Sequence, residues 1–155
     1  MLAEFGVACD QIEFELTETA MMLDTSSALD LLTKMTDSGI RFSIDDFGTG
    51  YSSLAYLQKL PADVVKIDRS FISGMKEGNR ERVLVQSMIA LSHSLGYEVV
   101  AEGVETREEA DLLATMGCDE LQGYWISRPL GSDAFLDWLS EHNGAELTER
   151  QAICA

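Results

Sequence analysis

Two adjacent carboxylates end a β-rich segment of the sequence and lead directly into a glycine-containing loop. Asp45 and Asp46 follow the residues RFSI and precede 47–50, FGTG. Neighbouring side chains of a strand point to opposite faces, so both carboxylates can reach one point only if the chain turns there. Two acids held together repel each other unless a divalent cation lies between them. The structural alternative is that one Asp caps a helix at Ser52 and Ser53 while the other is exposed.

A lysine and a glutamate also have unusual positions in apolar segments. Lys66 lies within VVKID, and a lysine in a β-branched run is seldom buried without a partner. It could aim a cation into a ring of carboxylates and hold a water or phosphate oxygen, or it could form a structural pair with Asp68. Glu102 ends the segment EVVAE, and a carboxylate at a strand end near metals can act as a general base.

Three further polar residues are weaker candidates. Glu15 lies in the segment IEFEL and Gln122 in the segment DELQGYW. For each of them, an ordinary polar strand end explains the residue as well as a functional site does. Glu105 closes the stretch EGVE and is suited to capping a helix that begins at Thr106.

Five β-rich segments, each followed by a helical pattern, must position these residues. The strand-like segments are 12–16, 41–45, 64–68, 98–102 and 119–125, and the helical patterns cover about 25–38, 52–59, 79–95, 106–116 and 132–143. Such alternation predicts βα units with a parallel sheet. No G-x-G-x-x-G motif follows a strand, which disfavours a doubly wound dinucleotide-binding sheet. The candidate residues lie near strand ends, which form one rim in a TIM barrel, and we therefore predict a barrel.

The chain is short for a complete barrel. It has 155 residues, whereas eight βα units take roughly 250 residues. An arc of five strands also has two open edges, which is costly. We therefore predict an α/β fold that is a partial (β/α)8 TIM-like barrel of about five βα units, with the first strands missing. It would occupy residues 1–144, and residues 145–155 would form a C-terminal tail.

Composition excludes some classes of function. The formal net charge of −16 argues against nucleic-acid binding, which needs a basic face. An acidic protein that handles an anionic substrate needs cations to bridge the two. The sequence contains no run of roughly 20 apolar residues, so we predict no membrane segment in this chain. The three cysteines, Cys9, Cys118 and Cys154, are far apart and form no C-x-x-C pair, which predicts a reduced, cytoplasmic compartment.

The motifs ELTE, DDFGTGYSSL, KID, AEGVE and LQGYWISRPL occur in this order, and over about 10–140 the chain closely resembles the EAL domain family. Members of that family hydrolyse cyclic di-GMP to linear pGpG with two Mg²⁺ or Mn²⁺ ions on the rim of a modified TIM barrel. The resemblance implies that Glu15 and Asp45 hold the first metal, and that Asp45 and Asp46 hold the second. It also implies that Glu102 is a metal ligand and the general base.

The resemblance implies roles for further residues. Lys66 would position the attacking water and steady the phosphate charge, so that it counts with Glu102 as a catalytic residue. Gln122 would assist at the site of this water or of the metals, and it would serve as a substrate-binding group. Glu18 would stabilise the DDFGTGYSSL loop, which in the family couples the metal site to dimerisation, and Glu105 stays a candidate without a specific role. The implied partners are cyclic di-GMP and either a second copy of the chain or the remainder of a parent chain.

Two departures from the family pattern limit the functional expectation. Thr19 stands where a Ser is common after ELTE, which is a harmless change. The name-giving Glu-Ala-Leu segment, a nearby substrate-binding Arg and a metal-binding Asn are expected upstream of Glu15 and are missing. We therefore expect this chain alone to be weak or inactive, and whether it is itself an enzyme stays open. The alternatives are a degenerate cyclic di-GMP-binding or regulatory dimerisation module, a Mg²⁺-dependent barrel lyase or isomerase, and a structural half-barrel.

Overall fold

A parallel sheet organises the chain. The computed structural model describes residues 2–17, 26–50, 57–73, 75, 80–142 and 152–153. The strands are β1 Glu13–Thr17, β2 Arg41–Phe47, β3 Val64–Ile67, β4 Glu98–Glu102, β5 Glu120–Gln122 and β6 Ala152–Ile153. They lie side by side in chain order, and each pairs with its successor in parallel. This arrangement confirms the predicted α/β fold with a parallel sheet.

Helices connect most of these strands. They are α1 Ser26–Thr36, α2 Arg69–Ile72, α3 Arg80–Ser94, α4 Arg107–Met116 and α5 Ser132–His142, and short 3₁₀ turns cover Leu2–Phe5 and Cys9–Gln11. The sequence patterns indicated every one of these α-helices except α2, and most of the helix predicted over 52–59 lies outside the described residues. In the part of the chain that the structure describes, no helix is both long and apolar enough to cross a membrane.

The start of α4 shows how the sequence sets a helix boundary. Thr106 Oγ1 accepts a hydrogen bond of 3.2 Å from the Glu109 N–H, and the Glu109 carboxylate accepts one of 3.1 Å from the Thr106 N–H. This capping box satisfies backbone donors that the first turn of a helix leaves open. The helix ends at Gly117, which adopts the left-handed conformation with φ 83°. The boundaries of the loop before α4, which follows Glu102, are therefore well defined.

Alternation along the strands separates an apolar face from a polar one. The core that the helices cover includes Val65 and Ile67 of β3 and Val99 and Ala101 of β4, and all four are fully buried. Because successive side chains of a strand point to opposite faces, Lys66 and the other residues between these positions point to the other side of the sheet. All four residues of β3 are buried, which agrees with a strand in the middle of the sheet.

One edge of the sheet differs from the sequence-based expectation. Residues 145–155 were predicted as a tail, but the structure places Ala152 and Ile153 in β6, next to Glu120 and Leu121 of β5. An edge strand presents unpaired backbone groups that another segment can satisfy, which gives the physical reason for this pairing. At the other edge, Phe14 of β1 is 45% exposed.

Candidate active site

A β-bulge in β2 contains the two adjacent aspartates, Asp45 and Asp46. The register between β2 and β3 shifts between Ile44 and Phe47, so Asp45 and Asp46 together stand opposite Lys66. Asp46 has φ 56°, and among the described residues it is the single non-glycine residue with positive φ. The turn expected between the two carboxylates is therefore present, although it lies inside the strand rather than after it.

Local hydrogen bonds hold this bulge in place. The Asp46 N–H donates to Asp45 Oδ1 at 3.0 Å. Thr49 donates to the Asp46 carbonyl oxygen from both its N–H, at 3.1 Å, and its Oγ1, at 2.9 Å. These bonds offset the cost of placing a non-glycine residue in the left-handed region. The carboxylate pair therefore has a defined backbone conformation.

Lys66 lies at the centre of three carboxylates that come from three other strands. Its Nζ is 2.5 Å from Glu15 Oε1, 2.7 Å from Glu102 Oε1 and 3.9 Å from Asp45 Oδ1. The Lys66 side chain is 8% exposed and that of Glu102 is 19% exposed. Water therefore screens the pair of Lys66 and Glu102 only weakly, whereas the Glu15 side chain is 54% exposed and its charge is screened more strongly. The structure thus brings together four of the residues singled out in the sequence, Glu15, Asp45, Lys66 and Glu102. We call them the lysine–carboxylate cluster.

The surroundings shift two of these pKa values. Burial disfavours the charged form of Lys66, but hydrogen bonds to Glu102 and Glu15 outweigh this effect and raise its pKa. Burial also raises the pKa of Glu102, and the hydrogen bond from Lys66 only partly opposes that rise. Lys66 therefore stays charged at neutral pH, while Glu102 binds a proton more readily than an ordinary glutamate does.

Asp68 is not the partner of Lys66. The structural alternative for Lys66 was an ion pair with Asp68, and this interpretation is wrong. Asp68 caps α2 and its Oδ1 accepts a hydrogen bond of 3.0 Å from the Ser70 N–H. The hydrogen bonds from Ser70 lower the pKa of Asp68, against an opposing effect of burial. The short helix α2, which the sequence patterns did not indicate, explains the difference because its first turn needs an acceptor.

Glu105 does not cap α4, which was the structural alternative for this residue; the spacing of Thr106 and Glu109 predicts a capping box, and that prediction is confirmed. Thr106 and Glu109 cap α4, as described above, and the Glu105 N–H itself donates to Glu109 Oε2 at 2.9 Å. The Glu105 carboxylate instead forms an ion pair of 2.9 Å with Arg69. This pair joins the loop after β4 to the start of α2.

Gln122 lies next to Glu102, because the two residues end the neighbouring strands β5 and β4. The two residues are register partners of β5 and β4, and both are partly exposed. The Gln122 carbonyl oxygen accepts a hydrogen bond of 3.0 Å from the Val104 N–H, which ties the loop after β4 to β5. The side chain that was expected to bind substrate is thus adjacent to the lysine–carboxylate cluster.

A recess next to Gln122 was not predicted. Its volume is about 430 Å³, and residues of the loop after β5 and of α5 line it, among them Tyr124, Arg128, Phe135 and Trp138. The Arg128 guanidinium lies 4.4 Å from the centre of the Tyr124 ring. Aromatic residues on both sides of the Arg-Pro pair after Gln122 are the signal that could have indicated the recess.

Cation binding can be judged from the donors. Carboxylate oxygens are the ligands that Mg²⁺ and Mn²⁺ prefer, so the chemistry of Glu15, Asp45 and Glu102 fits such an ion. Across the described ranges, however, no group of three or more His, Cys, Asp and Glu side chains stands ready around a common point. The carboxylates converge on the ammonium group of Lys66 instead. Glu18, which was expected to stabilise a loop, lies outside the described residues.

Curated proteins similar to this chain include cyclic di-GMP phosphodiesterases. The protein NbdA of Pseudomonas aeruginosa, named a cyclic di-GMP phosphodiesterase, is 44% identical over 138 residues, which is 89% of this chain and 18% of NbdA. RocR of the same organism, also named a cyclic di-GMP phosphodiesterase, is 38% identical over 140 residues, which is 90% of this chain and 36% of RocR. The chain thus spans well under half the length of each.

Solved structures give the same result for the fold. The PaMucR phosphodiesterase in its c-di-GMP complex matches with a TM-score of 0.81 and 38% identity, over 86% of this chain and 54% of that one. The similarity to such structures confirms a partial TIM-like barrel. The model of one family, described as the EAL domain, matches residues 1–129. That match covers most of the sequence and includes every residue of the lysine–carboxylate cluster, and this chain belongs to the EAL domain family.

Proposed function

We propose that the lysine–carboxylate cluster is the active site of a cyclic di-GMP phosphodiesterase, which hydrolyses cyclic di-GMP to linear pGpG with Mg²⁺ or Mn²⁺. One observation carries the proposal. Glu15, Asp45 and Glu102 converge on Lys66 Nζ at the ends of parallel strands, which is where active sites of βα barrels lie. The activity is proposed for the protein in its full natural length.

The carboxylates provide the means to bind cations. Glu15, Asp45, Asp46 and Glu102 would supply the oxygen ligands, and the bulge at Asp46 places two adjacent aspartates opposite Lys66 in the strand register. When bound, divalent ions neutralise a phosphodiester and activate water for its attack. Klebsiella pneumoniae BlrP1, a solved structure with 34% identity and a TM-score of 0.75 over 83% of this chain and 33% of that chain, is a manganese and cy-diGMP complex. This supports the proposed ions.

Glu102 and Lys66 would have complementary roles during hydrolysis. The raised pKa of Glu102, which burial causes, suits a group that takes a proton from the attacking water. Lys66 keeps its charge and carries donors that can bind a phosphate oxygen as negative charge develops. The 2.7 Å contact between them would keep the proton acceptor next to the stabilising charge. Both groups lie in a place with little water, where such interactions are strong.

The recess next to Gln122 would accept part of the nucleotide. Its aromatic side chains and the Arg128 guanidinium present flat surfaces, and a purine base can stack on such surfaces. Gln122 lies between the recess and Glu102, so its amide would orient the nucleotide with respect to the reacting phosphate.

The test is Mn²⁺-dependent release of pGpG by the full-length protein, measured by liquid chromatography, with Glu102→Gln as the variant. We expect kcat to fall at least about 100-fold, because a general base contributes about 10²–10⁴-fold. The dissociation constant for cyclic di-GMP should change less than about threefold, since Gln keeps the shape and polarity of the side chain. The matched control is Glu108→Gln, an exposed residue of α4, which should keep normal turnover. Normal turnover by Glu102→Gln would contradict the assignment of the base.

A regulatory module that binds cyclic di-GMP without hydrolysis, and pairs with another copy, is the second candidate. It is favoured by the finding that the described carboxylates surround an ammonium group and form no preformed metal cluster. The same chromatography separates the two candidates. Binding of cyclic di-GMP by the full-length protein with no pGpG released at saturating Mn²⁺ would favour the module.

The free thiols of Cys9 and Cys118 are compatible with a reducing cytoplasm for either candidate.

A further inference from the structure

The loop after β4 begins directly after Glu102, the last residue of that strand, and is closely packed. Gly103 has φ 68°, and a Cβ atom added to it would lie 2.4 Å from Arg69 Cγ, 2.6 Å from Arg69 Cβ and 2.8 Å from Arg69 Cδ. These separations are shorter than van der Waals contact, so only glycine fits beneath the Arg69 side chain. The aliphatic part of Arg69 therefore lies directly against the peptide that follows Glu102.

Arg69 also holds the far end of this loop. Its guanidinium Nη2 is 2.9 Å from Glu105 Oε1. A single side chain thus contacts the loop at both Gly103 and Glu105. Val104, between these contacts, is fully buried.

The opposite side of the loop is fixed by backbone groups. The Val104 N–H donates to the Gln122 carbonyl oxygen at 3.0 Å, and the Trp125 N–H donates to the Val104 carbonyl oxygen at 3.0 Å. A Cβ atom on Gly123 would lie 2.1 Å from the Val104 oxygen, so this side is closely packed as well. Hydrogen bonds with β5 and with the loop that follows it therefore hold one side of the loop, and Arg69 covers the other.

The position of Arg69 in the chain links this loop to Lys66. Arg69 is the first residue of α2, and Asp68, the cap of that helix, separates it from the end of β3. The pair of Arg69 and Glu105 is exposed, with side-chain exposures of 60% and 46%. Exposed ion pairs contribute little to stability. An effect of this contact would therefore show mainly in the placement of the loop.

We propose that Arg69 is a positioning residue, which presses on Gly103 and pairs with Glu105 so that the Glu102 carboxylate stays within reach of Lys66. The inference rests on the proposed function of the lysine–carboxylate cluster and adds to it a residue outside the cluster. Arg69 does not touch the cluster in this arrangement; it acts through the backbone of the loop. A comparable case is a residue that does not bind a metal itself but orients a metal-binding side chain. Mutation of such a residue lowers activity about 10–100-fold.

The experiment uses the full-length protein with Arg69→Ala, Arg69→Lys and the control Arg41→Ala. Arg41 forms a similar exposed pair with Glu98, at 2.7 Å, but at the opposite end of the strands. Kinetics of cyclic di-GMP hydrolysis with Mn²⁺ give kcat and KM, and hydrogen exchange followed by mass spectrometry reports on residues 103–106. We expect Arg69→Ala to lower kcat about 10-fold with KM within about twofold, and to speed exchange of the loop about 10-fold.

The conservative variant gives the readout that a merely structural role would not produce. Lysine can still pair with Glu105, so Arg69→Lys should recover at least about half of the kcat lost in Arg69→Ala. Arg41→Ala should match the unaltered protein in both kinetics and exchange. If Arg69→Ala exchanges its loop like the control, or keeps full kcat, the proposal is overturned. Absence of turnover in the unaltered protein would instead contradict the proposed function, and the exchange data would still decide whether Arg69 holds the loop.

Discussion

At the scale of single residues, the cluster depends on one cation among several anions. Lys66 is buried, and its Nζ donates hydrogen bonds to the carboxylates of Glu15 and Glu102. Buried charges are stable only when they are paired, and removal of one partner leaves the others uncompensated. Lys66 therefore contributes to stability as well as to the proposed chemistry.

Substitution of this lysine tests that balance. We expect Lys66→Met to lower the free energy of unfolding by about 2–3 kcal/mol at pH 7.5, because the carboxylates would then repel each other without compensation. Lys34→Met, at an exposed position of α1, should change it by no more than about 0.5 kcal/mol. Urea denaturation followed by circular dichroism measures both. Equal stability of the two variants would show that Lys66 does not hold the cluster together.

Residue types alone predicted much of the cluster but not its contacts. A lysine in a β-branched segment and glutamates at strand ends indicated that charges meet at one rim, and the structure brings Glu15, Asp45, Lys66 and Glu102 together. The partner of Lys66 could not be chosen from sequence, because the choice depends on register between strands rather than on neighbours in the chain. For that reason Asp68 was a plausible partner until α2 was seen.

At the scale of elements, α2 lies between the loops that follow two strands with carboxylates near their ends, β2 and β4. Arg69 contacts Gly103 in the loop after β4, while Phe71 lies next to Gly48 in the loop after β2. A helix of four residues has no periodicity that a sequence could display, which explains why it was not predicted. The bulge at Asp46 was likewise anticipated only as a turn, since its place within the strand depends on pairing with β3.

Alanine at Gly48 tests the packing of this loop. Gly48 has φ 95°, and an added Cβ atom would lie 2.5 Å from Met88 Cε and 3.0 Å from Phe71. Backbone strain and overpacking together should lower the free energy of unfolding by about 2–4 kcal/mol. Gly96→Ala isolates the backbone contribution, because Gly96 has φ 89° with nothing within 4 Å, and it should cost about 1 kcal/mol. Thermal unfolding measures both variants. If Gly48→Ala and Gly96→Ala lower the free energy of unfolding equally, Phe71 and Met88 have no steric role.

At the scale of the whole molecule, strand–helix alternation predicted the order of the strands in the sheet. It also predicted that the functional groups meet near the C-terminal ends of these strands. It did not predict β6 or the recess next to Gln122, because both depend on segments that meet only in the folded chain. The net charge of −16 has a consequence at this scale as well. The proposed substrate is a dianionic dinucleotide, so the proposed cations would offset its repulsion by a strongly acidic protein.

Binding of Mn²⁺ to this chain is therefore the most direct test of the proposed site. Electron paramagnetic resonance of free Mn²⁺ measures the affinity of the unaltered chain, of Asp45→Asn and of the control Asp133→Asn, an exposed residue of α5. We predict that Asp45→Asn weakens Mn²⁺ binding at least about 10-fold, while Asp133→Asn leaves it unchanged. Equal affinities of all three proteins would contradict a cation site at the lysine–carboxylate cluster.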